Sequence, residues 1–241
     1  QAASGGVARG PVGVGRGGAA VLGHRRELHR LRGRGGVHVG AVAVFEADCF
    51  WLNENYLVGR ALDNRMGGFM IAEVARILSE KGDKLPFTLY LVNSVQEEIG
   101  LRGAEMISRR LQPDVAIITD VTHDTHSPLY NKKIQGDCKC GKGAVVTYGP
   151  AVQNNLLQLI IGVAKDNEIA IQRNAVSRST GTDTDSFAYS GMGVASALIS
   201  LPLKYMHTTV ETVHQSDIES CIQLMYQSVK TLKAGQQFNY L

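Results

Sequence analysis

From about residue 38 to the C-terminus, short apolar runs alternate with segments whose apolar residues recur every three or four positions. That alternation confines the chain to an α/β layered fold. His38–Phe45, Phe87–Val95, Ile169–Gln172 and Val194–Ser200 read as strands, the last closed by Pro202. Val115–Thr119 (VAIIT) is an unbroken apolar run, suited to a central strand buried on both faces. Met66–Lys81 places apolar residues at 66, 69, 70, 71, 74, 77 and 78, one face of a helix, and stops at Gly82. Ala104–Leu111, Gln153–Lys165 and Asp217–Lys233 read as further helices, the last opened by a capping box of Ser216 and Glu219. The expected architecture is a three-layer sandwich, a mostly parallel central sheet flanked by helices.

Charge divides the chain. Residues 1–40 hold seven arginines against one glutamate and 12 of the 27 glycines, whereas the remaining residues are mildly acidic. Residues 1–37 show no helical or strand period and read as a Gly/Arg-rich low-complexity leader, with 38–241 as the folded domain. The leader lacks aromatic side chains for stacking bases, and its glycines oppose an amphipathic helix, so neither nucleic-acid binding nor targeting is expected of it. No apolar stretch is long enough to cross a membrane as a helix. Four scattered cysteines, Cys49, Cys138, Cys140 and Cys221, do not form a disulfide framework and point to a reducing, cytoplasmic setting. The one-residue spacing of Cys138 and Cys140 is poor for a zinc knuckle and reads as a pair of reduced structural thiols.

In open α/β sheets ligands bind beyond the carboxyl ends of strands. Polar residues follow apolar runs at Asp63 in RALDNR, Glu97 and Glu98 in NSVQEEIG, Asp120 in IITDV and His207 in LPLKYMHTT. Carboxylates with an imidazole suit a divalent cation. Alone, Asp63 is equally a turn-former and Asp120 a cap. Glu97 and Glu98 leave one strand as neighbours and therefore face opposite sides, unless the chain turns there, as Gly100 and Gly103 permit. With such a turn, one glutamate can bind metal while the other holds a proton-accepting position.

The strings GRALDNRMGG, NSVQEEIGLRGAE, PDVAIITDVTH, CGKGAVV, GTDTD and ISLPLKYMHTTVE occur in that order. Together they resemble the dinuclear metallo-aminopeptidases related to glutamyl aminopeptidase, metallopeptidase family forty-two, some of which carry an endoglucanase label. The resemblance implies that Asp63 bridges two divalent metals (zinc, cobalt or manganese). It also implies that Glu98 and His207 complete one metal site, that Asp120 belongs to the other, and that Glu97 is the general base. Gly181, Thr182 and Asp183 match a loop near the substrate, where an acid meets the free α-amino group. The implied activity is removal of N-terminal amino acids from peptides, by a homo-oligomer.

Members of that family are longer and carry a His-x-Asp ligand segment and an inserted β-rich domain upstream of the ALDN string. Here 62 residues precede Asp63, and none of His24, His29 and His38 begins a His-x-Asp. The N-terminal part of the catalytic fold is therefore expected to be incomplete, and a single filled metal site is expected beside the family's two. His123 and His126, shortly after Asp120, are the histidines placed to compensate. A second function follows from the same departure: a catalytically impaired homologue serving as a binding or assembly subunit.

Overall fold

A computed structural model describes residues 39–45, 48–128 and 130–239, together with 13–14 and 20–21. The chain divides into two units, Gln1–Asp48 and Cys49–Leu241. In the first, β1 (Gly13–Val14) pairs antiparallel with β2 (Ala20–Val21), which pairs in parallel with β3 (Ala43–Val44). Strand thus occurs at two places in the leader where the sequence carries no period. The rest of the leader and His38 lie outside the described residues, and the run expected as one long strand is regular at residues 43–44.

The second unit is built on a seven-stranded sheet. Its strands are β4 (Phe50–Leu52), β5 (Tyr56–Gly59), β6 (Val115–His123), β7 (Ala144–Tyr148), β8 (Ile171–Ala175), β9 (Ala195–Lys204) and β10 (Glu211–His214). The longest ladders are parallel, as the alternation predicts: β6 pairs with β9 from Val115↔Ala195 to His123↔Leu203, and β7 with β8. Antiparallel pairs of β4 with β5, β5 with β10, β10 with β9 and β7 with β9 make the whole sheet mixed. β9 does not stop at Pro202. That proline falls between the register positions of β7 (Ile199, Ser200) and β10 (Leu203, Lys204), so its missing N–H is not required by either ladder.

Among the described residues, six helices accompany the sheet: α1 (Leu62–Lys81), α2 (Arg102–Leu111), α3 (Lys132–Gln135), α4 (Asn154–Asp166), α5 (Asp183–Ala188) and α6 (Gln215–Thr231). α6 packs between α1 and α4, and all three pack on the sheet, while α2 and α5 form a separate pair with α5 against β6 and β9. Along α1, Met66, Met70, Val74 and Leu78 recur at helical spacing and are buried. They join Leu156, Leu157 and Ile160 of α4 and Leu224 and Tyr226 of α6 in the core. Each such aliphatic side chain contributes about 1.5–3 kcal/mol on burial. The α1 stop is as expected: Gly82 takes a left-handed conformation (φ 65°), and the N–H of Asp83 closes on Leu78 O at 3.0 Å.

Two local expectations are corrected. α6 is capped by His214, whose Nδ1 accepts from Ser216 N at 3.2 Å, while Glu219 accepts from the side chain of Gln215. Ser216 is therefore inside the helix, because the imidazole two residues earlier already supplies an acceptor. Phe87–Val95, expected as a strand, has no regular secondary structure and no strand partner among the described residues, and Val115–Thr119 is half-buried rather than buried.

Candidate metal centre

Asp63 stands in the first turn of α1, yet Asp63 and Asn64 have non-helical backbone angles. The side chain of Asn64 braces this bend: its Oδ1 accepts from Gly67 N at 2.8 Å and its Nδ2 donates to Thr119 O at 3.0 Å. A Cβ on Gly67 would lie 2.4 Å from Asn64 Oδ1, so the brace requires glycine there. The glutamate pair sits on the turn its glycines allow. Gln96 and Leu101 take positive φ, and the N–H groups of Gly100 and Leu101 both donate to Glu97 O at 2.9 Å. Gly103 closes the turn onto Val95 so tightly that an added Cβ would meet Val95 O at 2.3 Å.

His207 lies in the loop from β9 to β10, with φ 62°. Its Nε2 is 3.2 Å from Asp63 Oδ2 and 3.3 Å from Glu98 Oε2. One ligand atom from each of Asp63, Glu98 and His207 lies within 4.8 Å of the other two. Asp63 is 9% exposed, whereas Glu98 and His207 are 56% and 63% exposed, so the trio has one inner and two rim members. An imidazole nitrogen with two carboxylate oxygens at this spacing fits a borderline divalent cation with an open position.

Asp120 is 7% exposed at the middle of β6, and its Oδ1 accepts from its neighbour Val121 N at 2.8 Å. It does not join the trio, but its charge reaches the same carboxylates. Burial above all, opposed by the Val121 bond, then the charges of Asp63, Glu97 and Asp183, push its carboxyl up to about 8. Asp63 is pushed up to about 6 by burial, then Glu98 and Glu211, with His207 working against them. Glu97 is pushed up to about 7 by burial, then Glu98, Asp183 and Asp63. These groups crowd negative charge at one end of a cavity of about 1050 Å3 that Asp63, Glu97, Glu98, Asp120 and Asp183 help to line.

The Gly181–Asp183 segment divides its work. Thr182 is buried and caps α5, accepting from Thr184 N, and the N–H of Gly181 donates to Asp185. Asp183 faces the cavity; one carboxylate oxygen accepts from Ser94 Oγ, while the other is buried with no hydrogen-bond partner. Burial raises its pKa against the Ser94 bond. His123 bonds Tyr130 at 2.8 Å and is held below the usual imidazole range by burial and by His207. His126 pairs with Asp137 at 2.7 Å and Lys132. Neither histidine is in the trio. Cys138 and Cys140 are both buried; burial pushes the Cys138 thiol up to about 12 and the Cys140 thiol up as well.

Sequence reasoning assigned no role to Glu211, which is 2% exposed. Its Oε2 accepts from Asp63 N at 3.1 Å and its Oε1 from His207 N at 2.7 Å, so one carboxylate fixes the backbone of two trio members. Asn64 and Ser94 were missed likewise. The available signal was a lone acid opening the apolar strand ETVH four residues after His207.

A family model of the M42 glutamyl aminopeptidases matches residues 32–224. Lysyl aminopeptidase from Pyrococcus furiosus is 36% identical over 198 residues, which take in 82% of this chain and 55% of that protein. Among solved structures, an aminopeptidase from the archaeon Desulfurococcus kamchatkensis superposes with a TM-score of 0.75 at 27% identity, covering 88% of this chain and 58% of that one. The TET1 peptidase of Pyrococcus horikoshii gives 0.67 at 27% identity, covering 78% and 54%. The chain spans little more than half the length of the relatives it matches. On the family match and the identity to the lysyl aminopeptidase, this chain belongs to the M42 glutamyl aminopeptidase family.

Proposed function

We propose that the chain carries the metal-binding and proton-accepting side of an aminopeptidase site that releases N-terminal residues from peptides. The observation that carries this reading is the convergence of Asp63, Glu98 and His207 from three distant stretches of a chain that matches a peptidase family. These three residues would hold the cation, with Asp120 beside them toward a second one. A divalent metal supplies Lewis acidity toward a peptide carbonyl and makes water a competent nucleophile near neutral pH. Zinc, cobalt and manganese all suit such a donor set.

Glu97 stands next to a trio member, but on a turn that sends it elsewhere into the cavity lining. Its carboxylate would take the proton of the attacking water and return it to the leaving amine. Asp183, with one oxygen held by Ser94 and the other unbonded, would accept from the substrate's α-ammonium group. Thr182 and Gly181 would hold Asp183 in place through the α5 cap. Self-association is proposed by likeness to the TET1 peptidase, which assembles into a tetrahedron or a large octahedral shell. A cytoplasmic setting is proposed from the free, buried thiols of Cys138, Cys140 and Cys221.

The test is hydrolysis of a panel of amino-acid p-nitroanilides, with and without added zinc, cobalt or manganese, by wild type and Glu97→Gln. Metal-stimulated release that Glu97→Gln lowers about 100-fold or more supports the reading; equal rates in the two proteins overturn the base. The alternative reading is a subunit that binds metal or peptide without turnover. It predicts zinc uptake at Asp63, Glu98 and His207 with no release from any substrate of the panel.

A further inference from the structure

The turn that carries Glu97 and Glu98 is tied to α5 on both sides of the glutamates. Before them, the Ser94 hydroxyl donates to Asp183 Oδ2; after them, Ser186 Oγ donates to Leu101 O at 3.4 Å. Asp183 and Ser186 stand one turn apart on α5 and so share a face of it. The turn is also closed on itself right after Ser94. The N–H of Gly103 donates to Val95 O at 2.9 Å, and that of Arg102 to Gln96 O at 3.2 Å. Ser94 is therefore fixed at the root of the closed turn that projects Glu97 three residues later.

The two ties differ in kind. Ser186 bonds a backbone carbonyl, which steadies the turn and touches no side chain of the site. Ser94 bonds a carboxylate that lines the cavity together with Glu97. The cap of α5 fixes the backbone around Asp183, but among the described residues its side chain bonds Ser94 and no other group, and its second oxygen is buried without a partner. A charged oxygen left so is costly until a donor reaches it, and an ammonium group brings three N–H donors. Burial works to neutralise the Asp183 carboxyl, and the Ser94 bond works against burial. A hydroxyl that donates favours the ionised form and limits the rotation of the carboxylate. The charge of Asp183 reaches Glu97 and Asp120 in turn, which places the three groups within electrostatic range of one another.

We propose that Ser94 is a positioning residue: its hydroxyl orients the Asp183 carboxylate toward the α-ammonium group of a substrate, at a separation from Glu97 set by the closed turn, and so makes the site select a free N-terminus. This role rests on Asp183 accepting from the ammonium group, and goes beyond it in making one hydroxyl responsible for the register between that group and the bond facing Glu97. A ligand whose α-amino group is missing or acylated brings no cation to Asp183 and gains nothing from Ser94. An internal peptide bond brings none either, because its nitrogen is an uncharged amide.

The experiment is binding of L-alaninamide and of propanamide, which lacks just the α-amino group, followed by amide NMR titration of the full chain. A chelator is present, so that no metal holds the amine in place of Asp183. Wild type should bind alaninamide at least about tenfold more tightly than propanamide. Ser94→Ala should lose most of that ratio through alaninamide alone, and Ser94→Thr, which keeps the hydroxyl, should restore it. Ser186→Ala removes the other tie between α5 and the turn and should leave the ratio at its wild-type value. Asp183→Asn should lose the ratio, and Ser94→Ala added to it should change the ratio no further, because the two residues act through one bond. A wild-type ratio that survives in Ser94→Ala overturns the role of Ser94 and leaves that of Asp183 standing. Equal weakening of both ligands in Ser94→Ala overturns it as well, since a merely structural tie would do that. A ratio near one in wild type overturns Ser94 and the reading of Asp183 together. None of these measurements needs turnover, so they separate this role from the outcome of the p-nitroanilide panel.

Discussion

The carboxylate of Glu211 accepts from the backbone N–H of Asp63 at 3.1 Å, joining the first turn of α1 to the start of β10 across 148 positions of sequence. Its second oxygen holds the backbone of His207, so a buried residue with no place among the ligands sets the spacing of two that have one. Outer partners of this kind orient metal ligands and typically govern affinity by 10–100-fold, roughly.

Glu211→Ala leaves two N–H groups without their charged acceptor in a buried setting. Unfolding in urea should show a loss of about 2–4 kcal/mol, and zinc affinity measured by titration calorimetry should fall at least about tenfold. Glu211→Gln keeps one acceptor oxygen and should lie between the two.

Gly67→Ala forces Asn64 off its bonds with Gly67 N and Thr119 O, since the new Cβ would stand 2.4 Å from Asn64 Oδ1. The expected cost is about 1–3 kcal/mol. Gly162→Ala in α4, where a Cβ meets nothing within 4 Å, should instead stabilise by about 0.5–1 kcal/mol. Thermal melts of the two variants should move in opposite directions.

Asp124 and Asp217 are both fully buried and tilt stability with pH in opposite senses. Burial alone would raise Asp124, but the N–H groups of Cys140 and His126 and the Lys204 ammonium outweigh it and lower its pKa. Its contribution is present above the unfolded carboxyl value of about 3.9 and is lost as pH falls through the lower folded value. Asp217 is raised by burial, against bonds from Gly141 and Gly143, so its share of stability is greatest below about 3.9 and declines as pH rises toward the folded value. Urea midpoints of Asp124→Asn and Asp217→Asn relative to wild type, followed from pH 3 to 7 (about 3 to 7 on the carboxyl scale), should show slopes of opposite sign.

Zinc added at about 100 times its dissociation constant should stabilise the chain by about 2.7 kcal/mol, and a chelator should remove that gain. Asp63→Asn, Glu98→Gln and His207→Ala should each abolish most of the shift in melting temperature. Asp120→Asn, outside the trio, should leave most of it.

Cys49 is exposed, while Cys138, Cys140 and Cys221 are buried with thiols pushed up chiefly by burial. A chromogenic disulfide reagent should therefore react fast with one thiol in the native protein and with the remaining three only after unfolding. Fast reaction of a second thiol would show that the region of Cys138 and Cys140 opens.

Local chemistry was written in the sequence because it acts over a few residues. The α1 stop at Gly82, the turn that parts Glu97 from Glu98, and the parallel ladder anchored by VAIIT all follow from backbone freedom and apolar spacing. The acids and the imidazole were legible one by one, as polar residues at the ends of apolar runs. What only the folded chain decided depends on through-space neighbours. The hydrogen bonds of Glu211, the brace of Asn64 and the exclusion of Asp120 from the trio join residues far apart in sequence, with no periodic signal to mark them. The same holds for β6, which among the described residues pairs with β9 alone: a strand's sequence records how apolar its surroundings are, but which strand lies beside it is settled by hydrogen bonding between distant segments.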